Sequence, residues 1–279
     1  MPFNSNNLTR DDVLSRYFPA YAPVAGQLAG LSGGSCLISD GHHSIVLRQK
    51  HQATSSPFLR QYRALKKLPD GLAPRPYGLF ANWMAVEFID GDVNDALPDD
   101  ERLASLLCAL HREPLFGWRI SLLPLLEQYW LECSPSRRHP FWLQQLRKMR
   151  KQREPGPLRL APLHMDVHAG NVVHAESGLR LIDWEYAGDG DVALELASVW
   201  MDNETQREGL VIAYARAASL DPEALKRQVL RWRPWVLMLM AGWYECRWQQ
   251  SGERQFITLA DAVWNQLRTT VKERSMWVR

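Results

Sequence analysis

The first ninety residues alternate short apolar runs with turn residues, whereas the remainder carries apolar residues mostly at helical spacing. The pairs Gly33-Gly34 and Asp40-Gly41 are typical of hairpin turns between antiparallel strands. A helix is predicted over Phe58–Leu68, between two pairs of strands. The predicted strands lie at 36–38, 45–48, 76–80 and 83–88. This part of the chain is therefore expected to form an antiparallel sheet with one helix inserted.

After this sheet region the pattern becomes helical. The predicted helices lie at 99–111, 122–131 and 141–152. A strand–loop–strand passage follows at 163–183, and apolar residues return to helical spacing from residue 193 onward. We predict an α+β fold with two lobes, a sheet lobe at 1–90 and a helical lobe at 91–279, joined by a hinge near 87–91.

Composition and charge narrow the class of protein. Hydrophobic residues make up 46% of the chain and charged residues 23%, as in ordinary globular proteins. The 33 Lys and Arg nearly balance the 31 Asp and Glu, so no nucleic-acid or membrane partner is indicated. The longest uncharged apolar run, Trp235–Tyr244, is far shorter than the roughly 20 residues of a membrane-spanning helix. The four cysteines form no CxxC pair, and the N-terminus has no apolar signal core. We expect a cytoplasmic protein with no obligatory protein partner.

Four residues that can carry chemistry fall within one short segment. His164, Asp166, His168 and Asn171 lie within eight residues, and Asp183 follows in the sequence Ile-Asp-Trp-Glu. An acid at the end of an apolar strand is well placed to face a cleft, because the strand buries its stem. Two aspartates and one asparagine form an oxygen-rich set, which is the kind of set that Mg²⁺ prefers.

Zinc is the alternative metal for this segment. In an extended chain, His164, Asp166 and His168 would point the same way and could bind zinc. However, Ala169-Gly170 predicts a turn, and no second His/Cys cluster supplies further ligands. Hydrogen bonding within the loop is the simpler role for both histidines.

The pattern His-x-Asp-x-x-x-x-Asn, followed by Ile-Asp-Trp-Glu, resembles the catalytic loop and metal-binding aspartate of the aminoglycoside/choline kinase family. The order of strands, glycine-rich turn, helix and hinge extends this resemblance over nearly the whole chain. It implies a protein-kinase-like two-lobed fold that uses ATP and Mg²⁺. By this resemblance Asp166 is the catalytic base, and Asn171 and Asp183 are the metal ligands. The residues implied to bind nucleotide are Ser32, Gly33, Gly34, Ser35, Arg48, Glu87 and Ile89, with structural support from Gln61, His164 and Asp191.

Two positions depart from the usual pattern of this family. Arg48 stands where the third strand normally carries lysine, and Gln61 stands where the following helix carries its glutamate partner. Arg48 can still contact phosphates, but an ion pair with Gln61 is excluded because its amide is neutral. A catalytically silent nucleotide-binding protein is therefore one alternative to an active kinase.

Three segments resemble the thiamine-phosphorylating branch of the family. They are 116–126, 162–171 and 181–191. The resemblance implies that the small-molecule substrate is thiamine, whose hydroxyl receives a phosphoryl group from ATP in vitamin salvage. A kinase of another small alcohol, such as an aminoglycoside or choline, is the main alternative.

Thiamine carries a permanent positive charge, which aromatic faces can bind. Choline kinases have a Trp-x-x-Trp pair near the C-terminus that surrounds a quaternary ammonium, and the segment Trp232-Arg-Pro-Trp235 resembles it. Trp232 and Trp235 are therefore candidates for substrate binding, with Trp200 and Glu185 as additions. Packing in the core is the other role open to these tryptophans, since tryptophan at helical spacing is common there.

Overall fold

The N-terminal part of the chain is built around a five-stranded antiparallel sheet in the order β1-β2-β3-β5-β4. The computed structural model describes residues 8–24, 35–49, 58–201 and 203–276. The strands are β1 Ala22–Pro23, β2 Ser35–Ser39, β3 Ser44–Gln49, β4 Pro76–Phe80 and β5 Trp83–Glu87. Helix α1 spans Arg10–Tyr17 and helix α2 spans Phe58–Leu65. The predicted hairpin, sheet and inserted helix are thus confirmed.

The turn between β2 and β3 forms because one aspartate satisfies its backbone. Asp40 Oδ1 accepts hydrogen bonds from His42 N at 2.8 Å and His43 N at 2.7 Å. These bonds, with His43 contributing most, lower the pKa of Asp40 to about 2. Beneath this hairpin, Ile38, Ile45 and other apolar residues of one sheet face are buried against α1. Alternation along β2 and β3 therefore sets which face covers the core.

The rest of the chain is mainly helical, with short strands around the predicted loop. The helices are α3 Asp100–Leu110, α4 Leu122–Glu132, α5 Pro140–Gln152, α6 Val192–Ser198, α7 Glu204–Ala218, α8 Pro222–Ser251 and α9 Arg254–Met276. The strands are β6 Asp92–Val93, β7 Leu160–Leu163, β8 Val172–Ala175, β9 Gly178–Leu181 and β10 Gly188–Asp191. Within the described ranges, every helix is too short or too polar to cross a lipid bilayer. This α+β architecture agrees with the predicted fold class.

The chain divides into two compact units that are not continuous in sequence. The first comprises the described residues of Met1–Trp118, Ala161–Asp189 and Val199–Ala217. The second comprises the described residues of Arg119–Leu160, Gly190–Ser198 and Ala218–Arg279. The single boundary near 87–91, inferred from the change of sequence pattern, stays a prediction. The boundaries between the two compact units lie elsewhere, because β6, just after the predicted hinge, pairs with β8 of the first unit.

The second unit is centred on the long helix α8. Asp221 caps its start with bonds to Glu223 N and Ala224 N, and Gly252 ends it in the left-handed conformation. Glu245 is fully buried in this helix and accepts hydrogen bonds from Arg137 at 2.8 and 2.9 Å. Trp264 Nε1 donates to the same carboxylate at 3.0 Å. Removing either partner of this buried pair would leave an uncompensated charge, so it fixes the packing of α8.

Candidate active site

The catalytic segment runs from the end of β7 to the start of β8. It includes a short 3₁₀ helix, Ala169–Asn171, whose first N–H groups need an acceptor. His168 Nδ1 accepts from Gly170 N at 3.1 Å and caps this turn. Met165 adopts a positive φ of 69°, which turns the chain sharply just before Asp166. The sequence predicted the turn from Ala169-Gly170, and the structure places Asp166 and Asn171 side by side across it.

Asp166 and Asn171 are joined by two hydrogen bonds. Asn171 Nδ2 donates to the Asp166 backbone oxygen at 2.9 Å and to Asp166 Oδ2 at 3.2 Å. Both partners are acceptors, so only the amide nitrogen of Asn171 can face them. The amide oxygen of Asn171 consequently points away from Asp166. This is the atom that a metal ion would use, and it fits the predicted role.

Asp183 lies just beyond the end of β9 in a left-handed backbone conformation, with φ of 62°. Its Oδ1 accepts from Arg48 Nη2 at 2.9 Å, which forms an ion pair between β3 and the segment after β9. The next residue is held as well, because Trp184 Nε1 donates to Leu181 O at 2.8 Å. A non-glycine residue in this backbone region persists only where its surroundings hold it, and such residues concentrate at functional sites.

His164 links Asp166 to Ile182, the residue before Asp183. Its Nδ1 accepts from Asp166 N at 3.2 Å, so the proton resides on Nε2, which donates to Ile182 O at 2.8 Å. The ring is completely buried and packs edge-on against Trp184. With both ring nitrogens engaged, His164 has the geometry of a support and not of a zinc ligand. Among the described residues, no group of three or more His, Cys, Asp or Glu side chains is arranged to hold a metal.

Arg48, Asn171 and Asp183 line a cleft of about 1230 Å³ within the first unit. Its apolar lining comprises Val46, Leu65, Met84, Val86, Ile89 and Ile182. Its polar lining includes Ser35, Arg48, Gln61, Asn171 and Asp183. Asp92, Asp95, Asp99 and Asp100 add an acidic border, and Trp200 lies at the same opening. A flat apolar surface beside a cation and oxygen donors suits a nucleotide with its phosphates.

Two predicted nucleotide ligands, Glu87 and Ile89, lie at the hinge and have different surroundings. The carboxylate of Glu87 accepts from Arg180 at 2.8 and 3.2 Å and from Arg75 N at 2.9 Å. Burial raises the pKa of Glu87, but the bonds from Arg180 and Arg75 outweigh it, so the net pKa lies below the usual range. The side chain of Glu87 therefore stabilises the hinge. Ile89 lines the cleft, and its N–H takes part in none of the hydrogen bonds between described residues.

The other predicted nucleotide ligands differ in how far the structure locates them. Ser32, Gly33 and Gly34 lie outside the described residues. Ser35 begins β2 and lines the cleft. Arg48 lines it too, and its partner is the metal-ligand candidate Asp183.

The predicted substrate residues do not lie together. Trp200 is 42% exposed at the cleft, and its ring lies 5.5 Å from that of His168. Trp232 and Trp235 belong to α8 of the second unit, and both are 4% exposed. Trp232 Nε1 donates to Asp191 Oδ2 at 2.8 Å. These contacts favour the packing role for the tryptophan pair, while Glu185 is half-buried and does not line the cleft.

Asp191 supports the second unit through several bonds. Besides Trp232, its carboxylate accepts from Gln228 Nε2 at 2.7 Å and from Ala193 N at 3.3 Å. It therefore ties α8 to the start of α6. The supporting role was predicted from the family resemblance, but with the catalytic loop as the partner.

Two buried charged residues that stabilise the structure around the site were not predicted from the sequence. Asp189 is buried, and its two carboxylate oxygens accept from Phe116 N and Gly117 N, each at 2.7 Å. Arg180 is buried on β9 and, besides Glu87, donates to Ala73 O at 2.6 Å. A charged residue within a short apolar strand such as β9 is the one cue that could have indicated a buried ion pair.

The antiparallel sheet, the loop that joins Asp166 to Asn171, and the cleft that Asn171 and Asp183 both line are typical of a protein-kinase-like phosphotransferase. Comparison with known proteins agrees, since the sequence profile of the "Phosphotransferase enzyme family" matches residues 28–228. The chain belongs to this family and is a kinase.

Relatives and solved structures extend this result. The thiamine kinase of Salmonella dublin is 58% identical over 267 residues, covering 95% of this chain and 97% of the relative. The choline kinase LicA of Streptococcus pneumoniae has a similar structure, with a TM-score of 0.67, 16% identity and coverage of 88% and 93%. An ethanolamine kinase of Plasmodium vivax gives a TM-score of 0.70 at 16% identity, with coverage of 91% and 84%. The fold prediction is thereby confirmed.

Proposed function

We propose that the protein transfers the γ-phosphoryl group of ATP to the hydroxyl of thiamine, yielding thiamine phosphate and ADP. The observation that carries this proposal is the combination of 58% identity to a thiamine kinase over 95% of the chain with an intact catalytic set. In that set, Asp166 and Asn171 are in hydrogen-bond contact, and Asp183 lines the same cleft as Asn171. A cytoplasmic location would suit this role in vitamin salvage.

Asp166 is the proposed base. The substrate oxygen forms a bond to the γ-phosphorus as the bond between that phosphorus and the β,γ-bridging oxygen breaks, and the hydroxyl proton moves to Asp166. Asn171 holds Asp166 in place and offers its amide oxygen to Mg²⁺ together with a carboxylate oxygen of Asp183. Mg²⁺, when bound, would neutralise charge on the phosphates. All these donors are oxygens, which is the set this ion prefers.

The nucleotide is expected to lie along the apolar side of the cleft. Val46, Met84 and Ile182 offer apolar faces for the adenine ring of the nucleotide, and the N–H of Ile89 can donate a hydrogen bond to the edge of that ring. The guanidinium of Arg48 lies beside Asp183, where it can donate hydrogen bonds to phosphate oxygens. This arrangement gives Arg48 the role that lysine has at the corresponding position of most kinases.

The positive ring of thiamine has a suitable surface close to Asp166, the proposed catalytic base. Trp200 is exposed at the cleft, and its backbone N–H donates to Val167 O at 2.9 Å, so it is tied to the residue after Asp166. A cation stacked on tryptophan gains about 0.5–2 kcal/mol. Trp200 is thus the best-placed of the predicted tryptophans to bind thiamine, and the acidic border adds a favourable potential.

A coupled ADP-release assay with Mg-ATP tests the proposal across thiamine, choline, kanamycin and homoserine. We expect thiamine-dependent ADP release, with thiamine phosphate identified by mass. Asp166→Asn should lower turnover by about 10²–10⁴-fold because it removes the proton acceptor, while ATP still binds. The control is Asp11→Asn, a change of an exposed aspartate on α1.

The other outcomes separate the alternatives. Turnover with another alcohol alone would retain the kinase chemistry and reject thiamine as substrate. ADP release from none of the alcohols, with ATP still bound, would favour the silent nucleotide-binding protein. Near-normal turnover of Asp166→Asn would remove this residue from the role of base.

A further inference from the structure

One buried amide contacts two parts of the active site at once. Gln61 lies on α2 and is 4% exposed. Its neighbours at the amide end are both donors, so the amide oxygen faces them. This oxygen accepts from Arg48 Nη1 at 3.0 Å and from Trp184 N at 3.2 Å. Gln61 thus contacts the cation of β3 and the peptide that follows Asp183.

Both contacts act on Asp183. Arg48 uses Nη1 for Gln61 and Nη2 for Asp183, so the guanidinium is oriented by one partner and directed at the other. The bond to Trp184 N fixes the peptide directly after Asp183, whose φ of 62° needs such support. The backbone and the side chain of Asp183 are therefore both held through a single oxygen atom.

The neutrality of this partner has a consequence for the phosphates. The guanidinium of Arg48 already pairs with the carboxylate of Asp183, and a second carboxylate at position 61 would compete for it and weaken its attraction for phosphates. An amide accepts the hydrogen bond without doing so. Arg48 is only 22% exposed at its side chain, so its charge is incompletely screened by water and acts on nearby anions.

We propose that Gln61 is a positioning residue that orients Arg48 and the backbone of Asp183 without placing a second carboxylate beside Arg48, so that the guanidinium can bind nucleotide phosphates in addition to Asp183. This inference rests on the proposed function only in taking ATP as the phosphoryl donor. It explains why arginine and glutamine occur together here in place of a lysine–glutamate ion pair. Geometry and charge are separate parts of the role, and different substitutions test them.

Gln61→Glu keeps an acceptor oxygen but adds a charge. We expect about tenfold weaker binding of metal-free ATP, since a hydrogen bond to a charged group contributes roughly this factor. Its kcat with saturating Mg-ATP should fall less than that of Gln61→Met, because Trp184 N keeps its acceptor and Asp183 its backbone conformation. Calorimetry of ATP binding without Mg²⁺ measures the first effect, and the coupled assay measures the second.

Gln61→Met keeps the length of the side chain but removes the acceptor. We expect kcat to fall by at least about tenfold, because the peptide after Asp183 loses its partner, and metal-free ATP to bind more weakly too. Gln145→Met is the matched control, since Gln145 is also a buried helical glutamine but lies on α5 in the second unit. That variant should change the melting temperature alone.

These measurements can overturn the proposal independently of the substrate. Parental ATP affinity in Gln61→Glu would refute the charge argument, and parental kcat in Gln61→Met would refute the positioning argument. If both variants changed only thermal stability, as expected of Gln145→Met, Gln61 would be a packing residue. Failure of the parent protein to phosphorylate thiamine would leave the ATP-binding comparison valid, whereas its failure to bind ATP would reject the proposed function itself.

Discussion

His139 caps helix α5 with its imidazole, so the stability of this helix start depends on a group that titrates near neutral pH. Its Nδ1 accepts from Trp142 N at 3.1 Å, which requires the neutral ring. Burial lowers the pKa of His139, and the positive charge of Arg268 lowers it further. Glu245 and Asp261 act in the opposite direction, and Arg137 reinforces the lowering.

Because the folded-state pKa is lower than the unfolded one, the folded protein binds fewer protons. The contribution of His139 is complete above the ordinary histidine pKa of about 6.5 and is lost as the pH falls toward the folded-state value. His139→Asn keeps a capping oxygen that does not titrate. In urea unfolding we expect the two proteins to match at pH 7.5 and the variant to be more stable by about 1 kcal/mol at pH 5. A difference that is the same at both pH values would contradict this.

Some single residues were predictable and others were not. Asp166, Asn171 and Asp183 lie in two short motifs 12 positions apart, so the sequence alone predicted that they lie near one another. The paired contacts of Glu87 with Arg180 join residues 93 positions apart, and no local pattern encodes such a pair. Trp232 and Trp235 show the limit of periodicity, because helical spacing identifies a face but does not tell a binding surface from a buried one.

At the scale of elements, the junction between the sheet and β6 depends on a glycine. Gly91 has φ of 158°, and a Cβ there would lie 2.7 Å from His174 O and 2.9 Å from Ala175 Cα. Both are backbone atoms of β8, which cannot move aside cheaply. We expect Gly91→Ala to lower the free energy of unfolding by about 1–3 kcal/mol.

Gly156→Ala is the control for this change, because a Cβ at that position meets nothing within 4 Å and its φ is not in the left-handed range. Its effect should stay within about 0.5 kcal/mol. Urea unfolding monitored by circular dichroism compares the two variants. Equal stability of Gly91→Ala and the parent would mean that β6 and β8 separate without cost.

The elements themselves followed from local patterns, whereas their pairing did not. The hairpin at Asp40-Gly41 and the helix beginning at Phe58 were predicted because turn chemistry and apolar spacing act within a few residues. Strand β6 has only two residues and pairs with β8, some eighty positions later. A strand so short has no periodicity to detect, so its partner could be found only in the folded chain.

At the scale of the whole molecule, the chain crosses several times between its two compact units. The first unit contains α7 as well as the sheet, because the chain returns to it at Val199–Ala217. The sequence pattern changes from sheet-like to helical only once, near residue 90, and therefore predicted one boundary. Each compact unit is therefore built from several separate stretches of sequence. The residues that line the cleft all come from the first unit.

This division predicts that substrate binding and stability respond to different tryptophans. Trp200→Ala should raise the KM for thiamine by about 2- to 30-fold, the equivalent of a lost cation–π contact, with little change in melting temperature. Trp232→Phe should lower the melting temperature by several degrees, because it leaves the buried carboxylate of Asp191 short of a donor, while KM stays unchanged. Steady-state kinetics of both variants measures the KM for thiamine, and thermal unfolding measures the melting temperature. The reverse pattern would assign the thiamine cation to the Trp232–Trp235 pair, and it would mean that the second unit supplies the substrate site.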